Sequence, residues 1–236
     1  MLKIFLIVFF LHSLHQIKES TIITSKPLRP PNAVKVWDPL VRIFHWSLVA
    51  AFAIPWLTGD EESRLHELAG YAVIGLVLVR IVWGFIGTRY ARFSDFVYRP
   101  STVLGYVREM LSAKPKHYLG HNPLGGMMVL ALLVSLLAAG VTGLALQGAE
   151  QGTGPFTSLV TGTTVTMPGI IAKAVADDDE DGNGEKENGE LWEELHELFA
   201  NLTLLLVGLH VAGVIIGSLV HRENLVRAMF TGRKSV

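Results

Sequence analysis

The chain has 236 residues, of which 50% are hydrophobic and 17% charged, a balance that is rare in a soluble domain of this length. The composition therefore favours an integral membrane protein. The sequence contains no cysteine, which excludes thioether-bound c-type haem, iron–sulfur clusters and thiolate metal sites. The formal net charge of -1 hides an uneven distribution of basic and acidic residues, and that distribution predicts the topology.

The first 14 residues form a short apolar run with a single lysine. The run is similar to the hydrophobic region of a signal peptide, but it lacks a small-residue cleavage site and is too short to span a membrane comfortably. We therefore expect residues 1–33 to be an N-terminal extension, either an interfacial anchor or the product of a mis-assigned start. Residues 34–236 are expected to form one domain.

Four later stretches approach the ~20 apolar residues that cross a hydrocarbon core. They cover residues 40–58, 67–87, 124–146 and 196–220. The first is the least obvious, because Arg42 and Pro55 interrupt it, but Arg42 lies near its start and can reach the interface. The sequence thus predicts an all-α integral membrane protein, a bundle of four transmembrane helices.

Basic residues cluster in three of the segments that flank these spans. They are Lys26, Arg29, Lys35 and Arg42 before the first span, Arg89, Arg92, Arg99, Arg108, Lys114 and Lys116 between the second and third, and Arg222, Arg227, Arg233 and Lys234 after the fourth. The positive-inside rule places these segments, and with them both termini, in the cytoplasm of a bacterium. The acidic loop 147–195 then lies in the periplasm. Residues 101–113 have apolar positions at helical spacing and predict an amphipathic helix on the cytoplasmic face.

Four of the nine histidines lie in or at the edges of the spans. They are His45, His66, His196 and His210. Ionisable residues in a membrane span are costly, and a functional role is the default interpretation. His196 and His210 are 14 residues apart, close to four helical turns, so they share one helix face with a rise of about 21 Å between them.

The predicted topology sorts these histidines into two pairs. His45 and His210 meet on the cytoplasmic side, and His66 and His196 meet near the outer surface. A low-spin haem takes two neutral imidazoles on opposite sides of one iron, and facing helices of a bundle provide that arrangement. The sequence therefore predicts two haem b groups, an inner and an outer one. The alternative is that these histidines form interhelical hydrogen bonds or a proton path.

Further charged residues lie close to the predicted inner haem. Arg80 follows the second-span histidine by 14 residues, and its buried charge needs a partner, for which a haem propionate is suited. Arg42, one turn before the first-span histidine, is a second candidate, with snorkelling to the interface as the alternative. His117 and His121 precede the third span. The alternatives for them are that they bind a haem propionate, bind a quinone or bind no ligand. Both are also reserve candidates for haem ligation.

A family resemblance is carried by the segments VWDPLVRIFHWSLV, HELAGYAVIGLVLVRIVWGFIGTRYARFSDFV, HNPLGG and LHVAGVIIGSLVHRENLVRAMFTGRK. They resemble the prokaryotic cytochrome b561 family, which includes the b-type subunits of membrane nickel–iron hydrogenases. The resemblance covers residues 34–234 and is weakest between 150 and 190. It implies a four-helix diheme cytochrome whose ligands match the four histidines above. It also implies electron transfer between the quinone pool and a hydrogenase or a periplasmic c-type cytochrome.

The acidic segment at 177–190, DDDEDGNGEKENGE, has two interpretations. One is a solvated acidic linker, which would offer a docking surface to a basic partner. The other is an EF-hand calcium loop, since the segment satisfies the pattern D-x-[DN]-x-[DN]-G-x5-E. Its predicted calcium ligands are Asp179, Asp181, Asn183, Glu190 and the backbone carbonyl of Glu185. The following LWEELHELF would serve as the exiting helix.

Taken together, these features predict an electron carrier in the bacterial inner membrane. The expected partners are membrane lipid, a redox protein and quinone, with quinone oxidoreductase activity only in combination with a partner protein. A homodimer is left open, and nucleic acid is not an expected partner. The alternatives are a histidine-based proton or ion transporter and a structural anchor subunit of a redox complex. The lack of discontinuous half-helices argues against a transporter.

Overall fold

A computed structural model describes residues 34–58, 63–112, 116–160 and 184–234. In chain order the elements are β1 (Val34–Lys35), α1 (Pro39–Thr58), α2 (Arg64–Ile86), a 3-10 turn (Arg89–Ala91), α3 (Phe93–Phe96), α4 (Pro100–Leu111), α5 (Pro123–Gln151), α6 (Thr157–Val160), α7 (Gly184–His221), α8 (Leu225–Thr231) and β2 (Arg233–Lys234). The described part of the chain is thus helical apart from one pair of two-residue strands.

Three helices are long and apolar enough to cross a membrane: α2, α5 and the part of α7 over Gly189–His221. α1 is also apolar, but over a shorter length, Pro39–Ile54. Large hydrophobic side chains are exposed on the outer faces of the helices. They include Leu78, Val79, Val82, Phe85, Leu205 and Leu219. An exposed apolar surface of this extent suits lipid rather than water, so the protein is an all-helical membrane protein.

Side-chain caps define where the main helices begin. Asp38 accepts a hydrogen bond from the Val41 amide at 2.9 Å, and the proline after it occupies the first helical position of α1. The Ser63 hydroxyl accepts from the third amide of α2 at 3.2 Å. Asn122 accepts from the Gly125 amide at 2.7 Å at the start of α5. Each cap satisfies a backbone donor that the helix itself leaves unpaired.

The helices pack in an uneven way. α5 makes its most extensive contact with α7, while α1 packs against α2, and α2 against α5. A small core lies between α1, α2 and α5. It consists of Phe44, Val73, Val77, Leu133 and Leu136. This core joins three helices through apolar contact, and α7 is attached to it through α5.

Three segments of the chain meet at one end of the bundle. β1 and β2 pair antiparallel, with Val34 opposite Lys234. The ammonium group of Lys234 donates to the backbone oxygen of Tyr118 at 3.1 Å. The rings of Trp37 and His121 lie 4.6 Å apart, centroid to centroid. The segments before α1, between α4 and α5, and after α7 therefore lie together.

The helix bounds differ from the sequence-based expectation mainly around the predicted loop 147–195. α5 continues to Gln151, and α7 begins at Gly184, so the loop is shorter at both ends than predicted. Hydropathy detects only the part of a helix that lies in lipid, whereas polar residues can continue the helix into water. Residues 161–183 and 1–33 lie outside the described part of the chain.

The amphipathic helix expected over 101–113 is present as α4. It buries Tyr106 and exposes Leu104 and Leu111. The two leucines are seven residues apart and therefore lie on one face of the helix.

Candidate functional site

The structure brings His66 and His196 together at the end of the bundle away from the strands. The two ring centroids are 6.1 Å apart, and the ring planes are inclined by 77°. His66 lies in the first turn of α2, where the cap on Ser63 orients the backbone. His196 lies in the fourth turn of α7. These are the two histidines that the sequence pairs at the outer side.

His45 and His210 form a second pair, toward the end of the bundle where the strands lie. Their ring centroids are 6.4 Å apart, with an interplanar angle of 53°. The ring of His45 is also in edge contact with Trp46, at 5.1 Å, and Trp46 stacks on Phe230 of α8 at 4.3 Å. The arrangement joins α1, α7 and the C-terminal segment around one position.

Both separations are compatible with two imidazoles that share one metal ion. A metal–imidazole bond in proteins is about 2.0 Å long. A metal ion bound to one nitrogen of each ring therefore holds the ring centroids about 6 Å apart. The centroids of the two pairs lie 6.1 and 6.4 Å apart, which matches this spacing.

The helices that carry each pair are held apart by the rest of the bundle. Within the described residues, α1 and α7 make at most a marginal backbone contact, and so do α2 and α7. Glycines lie beside the histidines: Gly70 one turn after His66, and Gly213 one turn after His210. A Cβ atom at either glycine would meet nothing within 4 Å. Neither glycine position is therefore blocked by a neighbouring side chain.

Several buried polar atoms have no hydrogen-bond partner among the described residues. Near the inner pair they are Arg42 Nε, His45 Nδ1, Trp46 Nε1, Arg80 Nη1 and His121 Nδ1. Near the outer pair they are His66 Nδ1 and Trp192 Nε1. A buried donor without a partner is costly, so these groups fit a ligand that carries acceptor atoms. A haem, with its two propionate groups and a metal ion, is such a ligand.

Arg80 is a buried cation near the inner pair, and only 3% of its surface is exposed. Its guanidinium lies 5.5 Å from the centroid of the Phe93 ring and 5.8 Å from that of Phe96. It also interacts electrostatically with the Asp38 carboxylate. Aromatic faces compensate a desolvated cation only in part, so Arg80 retains the capacity to bind an anionic group.

His121 lies beside Arg80 in the loop before α5. Its ring packs between Trp37, at 4.6 Å, and Phe96, at 4.7 Å. Burial lowers the pKa of His121 to about 3, and the positive charges of Arg80 and Lys234 act in the same direction. His121 is therefore neutral at pH 7 and can donate one hydrogen bond to an acceptor. It is placed to contact a cofactor at the inner pair but lies outside the pair itself.

Asp38 is a residue at this end of the bundle that the sequence argument missed. Its carboxylate accepts from the amide of Val41, from Trp83 Nε1 at 3.2 Å and from the hydroxyl of Thr88. Burial alone would raise its pKa, but the hydrogen bonds from Thr88, Val41 and Trp83 prevail and lower it. Asp38 thus joins the start of α1 to the end of α2. The Asp-Pro pair at a helix start was the available signal.

A buried ion pair also escaped the sequence argument. Glu223 accepts from His117 Nε2 at 2.9 Å and pairs with Lys234 Nζ at 3.3 Å. The side chains of Glu223 and Lys234 are 10% and 7% exposed. His117 is thereby bonded to the C-terminal segment and lies outside both histidine pairs. His117 and Glu223 are 106 residues apart in sequence, and no local pattern indicates such a contact.

The predicted calcium ligands are only partly covered by the structure. Asp179, Asp181 and Asn183 lie outside the described residues. Glu185 and Glu190 lie in α7, which begins at Gly184, the sixth position of the twelve-residue motif. The helix thus overlaps the second half of the expected loop. In the described ranges, no cluster of three or more histidine or acidic side chains is arranged to hold a metal ion. The calcium site stays a prediction.

Comparisons with known proteins identify a family and several relatives of this chain. The family described as "Prokaryotic cytochrome b561" matches residues 36–232. A relative from Azotobacter chroococcum mcd 1, named "Probable Ni/Fe-hydrogenase B-type cytochrome subunit", is 24% identical, with 87% of this chain and 90% of the relative covered. A protein of the same name from Rhodobacter capsulatus is 23% identical, with 88% of this chain and 84% of the relative covered. Another from Bradyrhizobium diazoefficiens is 31% identical, with 50% of this chain and 60% of the relative covered. No solved structure matches the chain.

Proposed function

Since the chain belongs to the prokaryotic cytochrome b561 family, a family of membrane b-type cytochromes, we propose that it carries two haem b groups and passes electrons across a bacterial membrane. The observation that carries the proposal is the separation of the two histidine pairs. Both are spaced for one metal ion between two imidazoles, at two levels of the bundle. Buried nitrogen atoms near each pair that lack a hydrogen-bond partner among the described residues support the same conclusion.

The inner haem would be held by His45 and His210, and the outer haem by His66 and His196. When bound, each haem supplies an Fe(III)/Fe(II) couple that takes up and releases one electron. His196 and His210 share one face of α7 with a rise of about 21 Å between them, so one helix supports both ligand sets. The apolar residues between the two levels exclude water and counterions from the space that electrons cross.

Arg80, Arg42 and His121 would bind the propionates of the inner haem. Each has a buried nitrogen atom without a hydrogen-bond partner among the described residues. A propionate beside Arg80 would neutralise a cation that is otherwise compensated by aromatic rings and the more distant Asp38. His121, which is neutral at pH 7, would donate a hydrogen bond without adding charge.

The pairing of the strands supports four membrane crossings. β1 and β2 are hydrogen bonded, so residues 34 and 234 lie on the same side of the membrane. The chain between them must then cross the membrane an even number of times. α2, α5 and α7 account for three crossings, and α1 is the remaining apolar helix. The end that carries the strands also carries the basic segments, which favours the cytoplasm for both termini.

The partner would be a membrane-attached hydrogenase, because the relatives are named as b-type cytochrome subunits of such enzymes. Electrons would then pass between that partner and a quinone, with a periplasmic c-type cytochrome as the alternative partner. The predicted outer haem lies at the periplasmic end in the proposed topology, and it is the one closer to an external donor. The inner haem would be the more distant of the two.

The test is a reduced-minus-oxidised absorption spectrum of the purified protein, with pyridine haemochrome quantitation. The proposal predicts b-type bands and two haems per chain. A protein without b-type bands would be an anchor or a proton path, and the proposal would be wrong. One haem per chain would contradict the assignment of two histidine pairs.

A further inference from the structure

The His196 imidazole is hydrogen bonded to the neighbouring helix α5. Its Nδ1 atom lies 2.9 Å from the backbone oxygen of Ala139 on α5. A carbonyl oxygen carries no proton, so Nδ1–H must be the donor. For His45 and His66, in contrast, Nδ1 has no partner among the described residues.

This hydrogen bond determines which ring nitrogen can bind a metal ion. With the proton on Nδ1, the lone pair lies on Nε2. A hydrogen bond from the second nitrogen of a metal-binding histidine also fixes the ring orientation and raises the basicity of the ligand. The Ala139 oxygen therefore selects both the tautomer and the direction of the His196 ring.

Two further residues of α5 act on the same contact. The hydroxyl of Thr142 donates to the oxygens of Ala138, at 2.9 Å, and of Ala139, at 3.1 Å. It thus shares the Ala139 oxygen with His196. The hydroxyl oxygen lies 3.5 Å from His196 Nδ1, which is too far to compete with the carbonyl as an acceptor.

Gly143 provides the space in which the His196 ring lies. A Cβ atom at Gly143 would lie 2.9 Å from Cε1 and 3.1 Å from Nδ1 of the ring. The neighbour that must move is the end of a side chain rather than backbone, so the helices can remain packed while the ring turns away. Any side chain at this position therefore costs the hydrogen bond to Ala139.

We infer that Ala139, Thr142 and Gly143 on α5 are positioning residues for His196, and that they tune the reduction potential of the outer haem. The inference rests on the proposed function, because it needs the outer haem to be present. An imidazole that donates a hydrogen bond at Nδ1 gives more electron density to the iron and favours Fe(III). The hydrogen bond to α5 is thus one cause of a difference in potential between the outer and the inner haem.

The first experiment compares Gly143→Ala with Gly140→Ala in the full-length protein. The control lies on the same helix, and its Cβ would overlap the Ile74 side chain at 2.5 Å instead of a histidine. We expect Gly143→Ala to lose the outer haem, with about half the wild-type haem content, and Gly140→Ala to keep both haems. Equal haem content and equal potentials in both variants would overturn the inference.

The second experiment uses Thr142→Val, a change of similar size that remains informative should Gly143→Ala fail to fold. Removing the hydroxyl leaves the Ala139 oxygen to His196 and strengthens that bond. Potentiometric titration should show a lower midpoint potential for one haem only. We expect a change of up to about tenfold in the equilibrium constant for reduction, which corresponds to about 59 mV for a one-electron couple. Ser135→Ala is the control, since it removes a buried hydroxyl that is bonded to the Leu132 oxygen on the same helix.

The outcomes separate this inference from the proposed function. A wild-type protein with fewer than two haems would contradict the proposed function before any variant is made. If the wild-type protein holds two haems, the Thr142→Val variant tests the role of α5 alone. That role would be contradicted if the variant left both potentials unchanged, raised the outer potential or shifted both potentials equally.

Discussion

Replacing Asp38 by alanine should destabilise the fold by about 2–3 kcal/mol. Asp38 is 8% exposed, and its carboxylate caps α1 through Val41 while it accepts from Trp83 of α2. Loss of the cap costs about 1 kcal/mol, and loss of a hydrogen bond to a charged group costs about 1.5 kcal/mol or more. Thr88, the third donor, is exposed and can bond to water instead.

The assay is thermal unfolding of the detergent-solubilised protein, followed by circular dichroism. For a chain of this size the loss corresponds to a Tm lower by about 5–10 °C. Asp38→Asn keeps a good cap but loses the charge, and should show about half of that effect. Asp95→Ala is the control, because Asp95 pairs with an exposed arginine at 3.7 Å. Equal Tm values for Asp38→Ala and Asp95→Ala would refute the argument.

The same carboxylate predicts a dependence of stability on pH. The pKa of Asp38 is lowered in the folded protein, since hydrogen bonds from Thr88, Val41 and Trp83 outweigh the opposing effect of burial. Its contribution is therefore complete above the unfolded pKa of about 3.9 and is lost as the pH falls through the folded pKa. Asp38→Asn should lose less stability than the wild type over that acid range. Parallel acid-unfolding curves for the two proteins would contradict the prediction.

Three further predictions concern other parts of the chain. Arg80→Gln should lower the midpoint potential of the inner haem alone in a redox titration, because it removes a positive charge that favours Fe(II). Arg89 is exposed, so Arg89→Gln should change the potential of neither haem. Glu223→Gln should destabilise the fold by about 3 kcal/mol and lower Tm accordingly, since it leaves Lys234 buried without its carboxylate. Glu109→Gln is the control and should have almost no effect, because the pair of Glu109 with Lys116 is more exposed and 4.0 Å long. Calcium titration by calorimetry should show binding that Glu190→Ala abolishes, and the absence of binding to the wild type would reject the EF-hand interpretation.

The helices and the histidine pairs could be predicted because both depend on local periodicity. Hydropathy marks the apolar length of a helix, and the 14-residue spacing of His196 and His210 fixes their shared face. The distribution of basic residues then gives each histidine a depth. These inferences use the order of residues along one helix at a time, and they lead to the pairs that the structure brings together.

The contacts that position the site could not be predicted, because they join residues far apart in sequence. The bond from His196 to the Ala139 oxygen uses the backbone, which is the same at every residue and leaves no signal in the sequence. Gly143 is one of many glycines in the sequence, and only its packing against the imidazole distinguishes it. The start of α7 was missed because charged residues at a helix start can be taken for a loop.

The most direct test of two haems on two histidine pairs is a potentiometric titration of His66→Ala beside the wild type. The wild type should titrate in two one-electron steps of similar amplitude. His66→Ala should lose one step completely and keep the other at nearly its wild-type potential, because His45 and His210 remain in place. Loss of both steps in equal proportion, or retention of both, would contradict the assignment.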